Sequence, residues 1–212
     1  MKKIDLRKQL RELYTPSPRE AEIVKVPKFG FLMIDGQGDP NASQGFRDAV
    51  QALYAVAYTL KFMIKKEKKI DYPVMALEGL WWADDMAAFA AGNRAEWKWT
   101  LMILQPTFVT KALVKNAIKQ VQEKKELAAL GALRFSSYVE GLSVQILHVG
   151  PYSLEAPTIE RLHNFAKERG YELHGKHHEI YMSDPRRVKP GKMKTVIRQP
   201  VRKASPISKP VD

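Results

Sequence analysis

Apolar positions along the chain fall into short strand-like runs divided by three stretches with helical spacing. Residues 29–34, Phe-Gly-Phe-Leu-Met-Ile, predict a strand that ends in the turn Asp35-Gly36-Gln37-Gly38-Asp39-Pro40. Phe46, Val50, Leu53, Tyr54, Ala57, Leu60, Met63 and Ile64 then recur every three or four residues. That face closes in the charged run 65–69, so a long helix is expected. Strands over 72–82 and 96–104 should follow. Thr107 is read as the N-cap of a second helix carrying Phe108, Leu113, Ala117, Ile118 and Val121. Phe135 to Val149 reads as one strand or a bent pair, and Gly150-Pro151-Tyr152 as a turn. Ile159, Leu162, Phe165 and Ala166 mark a third helix, with Gly170 just past its end. Strands over 171–182 and 193–200, joined through Ser183-Asp184-Pro185, complete the pattern.

Each half of this pattern reads strand, helix, strand, strand. The expected fold is therefore α+β, with tandem βαββ repeats at about 28–105 and 133–203 related by a pseudo-twofold axis around a central ligand cleft. An arm over 1–27, broken by Pro16, Pro18 and Pro27, precedes the domain at 28–203, and a tail over 204–212 follows it. Aligning Met75–Trp81 with Lys176–Met182 sets Glu78 and Glu179 at the same strand position. The axis would then bring them face to face.

Composition narrows the chemistry. Hydrophobic residues make up 45% of 212, enough for a core. No run of 18 uncharged apolar residues is present, so no membrane span is expected. Basic residues at the start lack an apolar stretch behind them, so no signal peptide and a cytoplasmic location are expected. The absence of cysteine excludes disulfides, thiolate nucleophiles and Cys-ligated metals. The net charge of +12 collects at 1–11 and 186–209 without a recognition helix, so specific nucleic-acid binding is not expected.

Strand alternation puts Glu78, Leu80 and Trp82 on one face, and Glu179 and Tyr181 on one face of the partner strand. Two carboxylates in an apolar cleft would raise one another's pKa, which suits acid–base work. Trp81 and Trp82, being adjacent, point to opposite faces, so one can fill the core while the other lines the cleft. Tyr152, beside a turn at a strand end, is a candidate for gripping a ligand. His174 and His178 on a strand stay ~13 Å apart, too far to share a zinc ion, so no metal site and no cofactor are expected. His177 or His178 would instead support Glu179.

Three segments carry a resemblance. Glu78-Gly79-Leu80-Trp81-Trp82, His148-Val149-Gly150-Pro151-Tyr152 and the run from Lys176 to Arg187 resemble the GyrI-like small-molecule-binding family. The resemblance implies a SOUL-like fold of two βαββ repeats and a small, flat, hydrophobic aromatic ligand, in a monomer or homodimer. By matching motif it implies functional roles for Glu78, Trp81 or Trp82, Tyr152, Glu179 and Tyr181; catalysis is expected of Glu179, Glu78 and Tyr152, and ligand contacts of Trp81, Trp82, Tyr181 and His178. The stand-alone subgroup that the chain looks like hydrolyses the strained cyclopropane of DNA-alkylating natural products. The other activity the family implies is binding of cationic aromatic drugs without chemistry.

Overall fold

The computed structural model describes residues 1–84 and 94–204. Its elements in chain order are β1 (Lys2–Lys3), α1 (Leu6–Gln9), α2 (Arg11–Tyr14), β2 (Glu22–Gln37), α3 (Gln44–Lys68), β3 (Ile70–Asp71), β4 (Leu77–Trp82) and β5 (Lys98–Gln105). After these come α4 (Lys111–Gln122), β6 (Arg134–Val149), α5 (Ala156–Glu168), β7 (Tyr171–Leu173), β8 (His177–Tyr181) and β9 (Lys194–Lys203). Short 3₁₀ turns link several of them.

The helices begin and end where local chemistry permits. Ser43 caps α3 by accepting the Phe46 N–H, and Lys69 closes it in a left-handed conformation at φ 56°. Thr110, not Thr107, caps α4 through the Leu113 N–H. Pro157 stands in the first turn of α5, where a missing N–H is harmless. The strand expected over 171–182 is broken in two by Gly175, whose φ of +66° leaves the extended region. Pro27 does not stop β2. It occupies a position where the ladder to β6 skips one residue pair, so its missing donor goes unused.

The sheet order is β6-β2-β5-β4-β8-β9-β7, all antiparallel, and β6 also pairs with β9. That last ladder curls the sheet into a barrel. Alternation then divides the side chains into an outer set and an inner set. On the outside, α3 covers β2 and β5 through Leu53, Val56 and Leu60 against Leu32, Ile34, Leu101 and Ile103. Leu162 and Ala166 of α5 cover Val144, Ile146 and Ile197. Neither helix covers the β4–β8 seam between them.

Inside the barrel lies a polar chain. The Tyr14 hydroxyl donates to Glu78 Oε1 at 2.6 Å, and His178 Nε2 lies 3.1 Å from Glu78 Oε2. His178 Nδ1 lies 2.9 Å from Glu140 Oε1, whose other oxygen accepts from Arg198 Nη1 at 3.0 Å. Arg198 also donates to Gln145 Oε1 and to the Leu13 carbonyl, which ties the segment before β2 into the barrel. With His178 protonated, two carboxylates balance two cations, which is what makes such a buried cluster tolerable. Burial alone would raise the Glu140 pKa, but the His178 and Arg198 charges hold it down to about 2. Burial alone would lower that of His178, but Glu140 and Glu78 push it up to about 9.

Candidate functional site

The seam between the helices forms the floor of a cleft of about 2750 Å³. Antiparallel pairing sets Glu78 opposite Ile180 and Gly79 opposite Glu179. Glu78 and Glu179 are thus one register step apart and project from opposite faces of the sheet. The expectation that they face one another is overturned. Glu78, only 1% exposed, points into the barrel. His178 shares that interior face, and Trp82 lies on it near the barrel end, beneath Lys176 Nζ at 3.2 Å from its ring centroid. None of these three lines the cleft, whereas Glu179, Tyr152, Trp81 and Tyr181 all do.

The floor is a hydrogen-bonded row. Trp81 Nε1 donates to the Tyr181 hydroxyl at 3.1 Å, and that hydroxyl donates to Glu179 Oε2 at 2.8 Å. His177 Nε2 lies 3.3 Å from the other oxygen of Glu179. Gly79 makes the row possible, because a Cβ there would come within 2.7 Å of Trp81 Nε1 and 3.0 Å of the Tyr181 oxygen. Gly79→Ala is accordingly expected to cost about 1–3 kcal/mol in urea denaturation by overpacking. It should also displace the Trp81 ring. Phe46 of α3 stacks on Trp81 at 6.1 Å and Tyr152 meets Tyr181 edge-on at 5.6 Å, so flat rings wall the floor on two sides.

A second carboxylate lines the cleft with Glu179, and it comes from the start of α5. Glu155 stands at the N-cap position with no capping bond from its side chain, which is buried in the cleft wall. Burial first, and the Glu179 charge second, push its pKa up to about 8. The Tyr152 phenol is pushed up to about 12 by burial, Glu155 and Glu179. His163, also on α5, is lowered by burial and by His177. Sequence reasoning misses Glu155 as a site residue. Its weak N-cap propensity at a helix start is the signal that could have found it. Among the described residues no group of three or more His, Asp or Glu side chains could hold a metal ion.

These shifts set a pH window for stability. Glu140 stabilises the fold above its ordinary value of 4.5, and that contribution is lost as pH falls toward about 2. His178 contributes fully below 6.5 and loses its contribution as pH rises through about 9. Glu155, whose folded pKa is raised from 4.5 to about 8, contributes fully below 4.5 and loses its contribution as pH rises through about 8. Thermal midpoints measured across pH should therefore peak near 4.5 and fall on the alkaline side through about 9. A midpoint that climbs from pH 6.5 to 9 would contradict the assignment.

An antiparallel barrel with two outer helices flanking an aromatic, acid-lined cleft defines a small-molecule-binding class of fold. Residues 19–202 match the GyrI-like small molecule binding domain, and the chain belongs to that family. It is similar to an uncharacterized conserved protein from Listeria innocua, at 39% identity over 94% of this chain and 100% of that one, with a TM-score of 0.87. Two Listeria innocua structures described as hydrolases are each 37% identical. One covers 94% of this chain with a TM-score of 0.82 and the other 95% with 0.84, each over 100% of its own length. No curated protein matches the chain. No helix among the described residues is long and apolar enough to cross a membrane.

Proposed function

We propose that the cleft takes a flat aromatic electrophile and adds water to it, opening a strained cyclopropane conjugated with a carbonyl. The observation that carries this reading is the pairing of Glu179 with a buried Glu155 on an aromatic floor. Glu155 keeps its proton near neutrality, so one acid and one base line the same cleft. Water gives a proton to Glu179 as its oxygen bonds to the ring carbon and the ring C–C bond breaks. The released electron pair passes through the conjugated system to the carbonyl oxygen, which takes a proton from Glu155. The product is the substrate plus one water. Tyr181 already donates to Glu179, so Tyr152 is the phenol left to hydrogen-bond to the oxygen gaining charge. Glu78 and His178 take no part; their work is to hold the barrel.

Two further observations support the reading. The 37% identical hydrolases cover nearly the whole chain. Exchanging the set β2, α3, β4, β5 for β6, α5, β8, β9 leaves the strand pairings of the closed barrel unchanged, as descent from two βαββ repeats requires. A second reading, capture without chemistry, draws on cleft volume: about 2750 Å³ exceeds the roughly 300–1,000 Å³ of a drug-sized site. Mass spectrometry after incubation with a cyclopropane-bearing alkylator separates the two. Water adduct formed over many turnovers supports hydrolysis, and intact compound recovered at every protein concentration contradicts it.

A further inference from the structure

One arm of the cleft is left over by the chemistry just described. Along α3, Tyr54, Tyr58 and Phe62 recur every fourth residue and line the same cleft as Glu179. Their rings form a row, with centroids 6.2 Å apart between the first two and 6.4 Å between the last two. The planes are within 31° and 25° of parallel. The row spans roughly 12 Å at the helical rise. Tyr58 is 48% exposed and Phe62 59%, a large apolar area for a helix face to leave in water. Tyr54, at the inner end, lines the same cleft as Tyr152 and Glu155, so the row opens into the space that holds the reacting end.

Charged side chains of both signs line the cleft, with Arg47 of α3 and Arg94, over the Trp97 ring, near the floor. The lining carboxylates Glu155, Glu160, Glu179 and Asp184 come from α5 and the strand β8 with its following loop. Arg186 and Arg187 on that side are tied to Asp184. The cleft is also lined by Arg7 of α1 and by Lys124 and Lys125 just beyond α4. Arg7 follows β1, which pairs with β3 immediately after the end of α3. Arg7 therefore lies toward the Phe62 end of the row.

We infer that the Tyr54–Tyr58–Phe62 row is a distal stacking subsite, which holds the far aromatic unit of an elongated ligand with an anionic or acceptor-rich terminus directed toward Arg7. The inference rests on the cleft being the ligand site, and it names the shape of the ligand that site prefers. A substrate with one ring system would occupy only the acid-lined end. A substrate with two in line would gain the second platform, since stacking on exposed aromatic side chains is sequence-tolerant and needs only a flat face.

The test uses the full chain and two fluorescent anionic probes, 1-anilinonaphthalene-8-sulfonate and its covalent dimer. Tyr58 and Phe62 are exposed, so Tyr58→Ser/Phe62→Ser should fold normally, which the thermal midpoint checks. The double variant is expected to lose about tenfold in affinity for the dimeric probe and to keep its rate of water addition to a single-ring cyclopropane substrate. Unchanged affinity for the dimeric probe would overturn the inference. So would sedimentation of the wild type as a dimer that the double variant dissociates, because a second copy would then be what covers the row. The titrations read binding alone, so their outcome does not depend on whether the cleft adds water to what it holds.

Discussion

Replacing Glu179 by glutamine is expected to lower turnover of a strained cyclopropane by roughly 10²–10⁴-fold while the ligand still binds. The amide preserves the shape of the side chain and can still accept the Tyr181 hydrogen bond of 2.8 Å. It cannot take a proton from water. Because Glu179 stands on the floor beside Trp81 and Tyr181 rather than in the core, the substitution should leave the fold intact. Single-turnover kinetics together with a tryptophan-quenching titration separate loss of chemistry from loss of binding. A variant that turns over at the wild-type rate would remove Glu179 from the mechanism. One that fails to bind at all would make it a binding group instead.

The second large effect lies inside the barrel. Arg198→Ala is expected to cost about 3–5 kcal/mol of unfolding free energy, because it leaves two buried carboxylates, Glu78 and Glu140, to share the one cation His178. It also removes the donors to Gln145 and to the Leu13 carbonyl, and so frees the segment that carries Tyr14 from the barrel. Urea denaturation gives the value. A paired change, Arg198→Met with Glu140→Gln, should be less destabilising than Arg198→Ala, since neither partner is left charged. A loss below about 1 kcal/mol for Arg198→Ala would mean that the cluster is solvated in the native state and does not hold the barrel.

These two expectations fall on residues that the amino-acid pattern treats very differently. The long helix α3 is legible nearly to the residue, because its apolar spacing is regular and its end is marked by a run of lysines. Strand β4, with its Glu-Gly-Leu-Trp-Trp run, and strand β8 are legible as buried strands that carry a glutamate. What cannot be read is their relative register. A shift of one residue moves a side chain from one face of a sheet to the other, and nothing in either strand announces whether Glu78 meets Glu179 or Ile180. The turn geometry and barrel closure decide it. The consequence is functional: Glu78, a catalytic candidate by its strand position, is a core residue, and Glu155, on a different element, is the carboxylate that lines the cleft with Glu179.

Other differences have equally local causes. A proline within an otherwise apolar run argues for a later strand start, so the pattern places β2 near Phe29 and not at Glu22. The skipped ladder pair that accommodates Pro27 depends on the partner strand β6. His178 sits among the motif residues, yet its neighbours Glu140 and Arg198 come from strands outside the motif, so its role as a buried cation is not visible locally. Trp81 and Trp82, adjacent on one strand, do part to opposite faces. Which of them meets the ligand cleft again depends on register.

The dependence of turnover on pH tests the pairing of Glu155 with Glu179 most directly. Water addition should fall as pH rises through about 8, where Glu155 loses its proton, and Glu155→Gln should be slow with that alkaline limb gone. An alkaline limb unchanged in Glu155→Gln, or one abolished instead by Glu78→Gln, would mean that the acid resides elsewhere and would contradict the account.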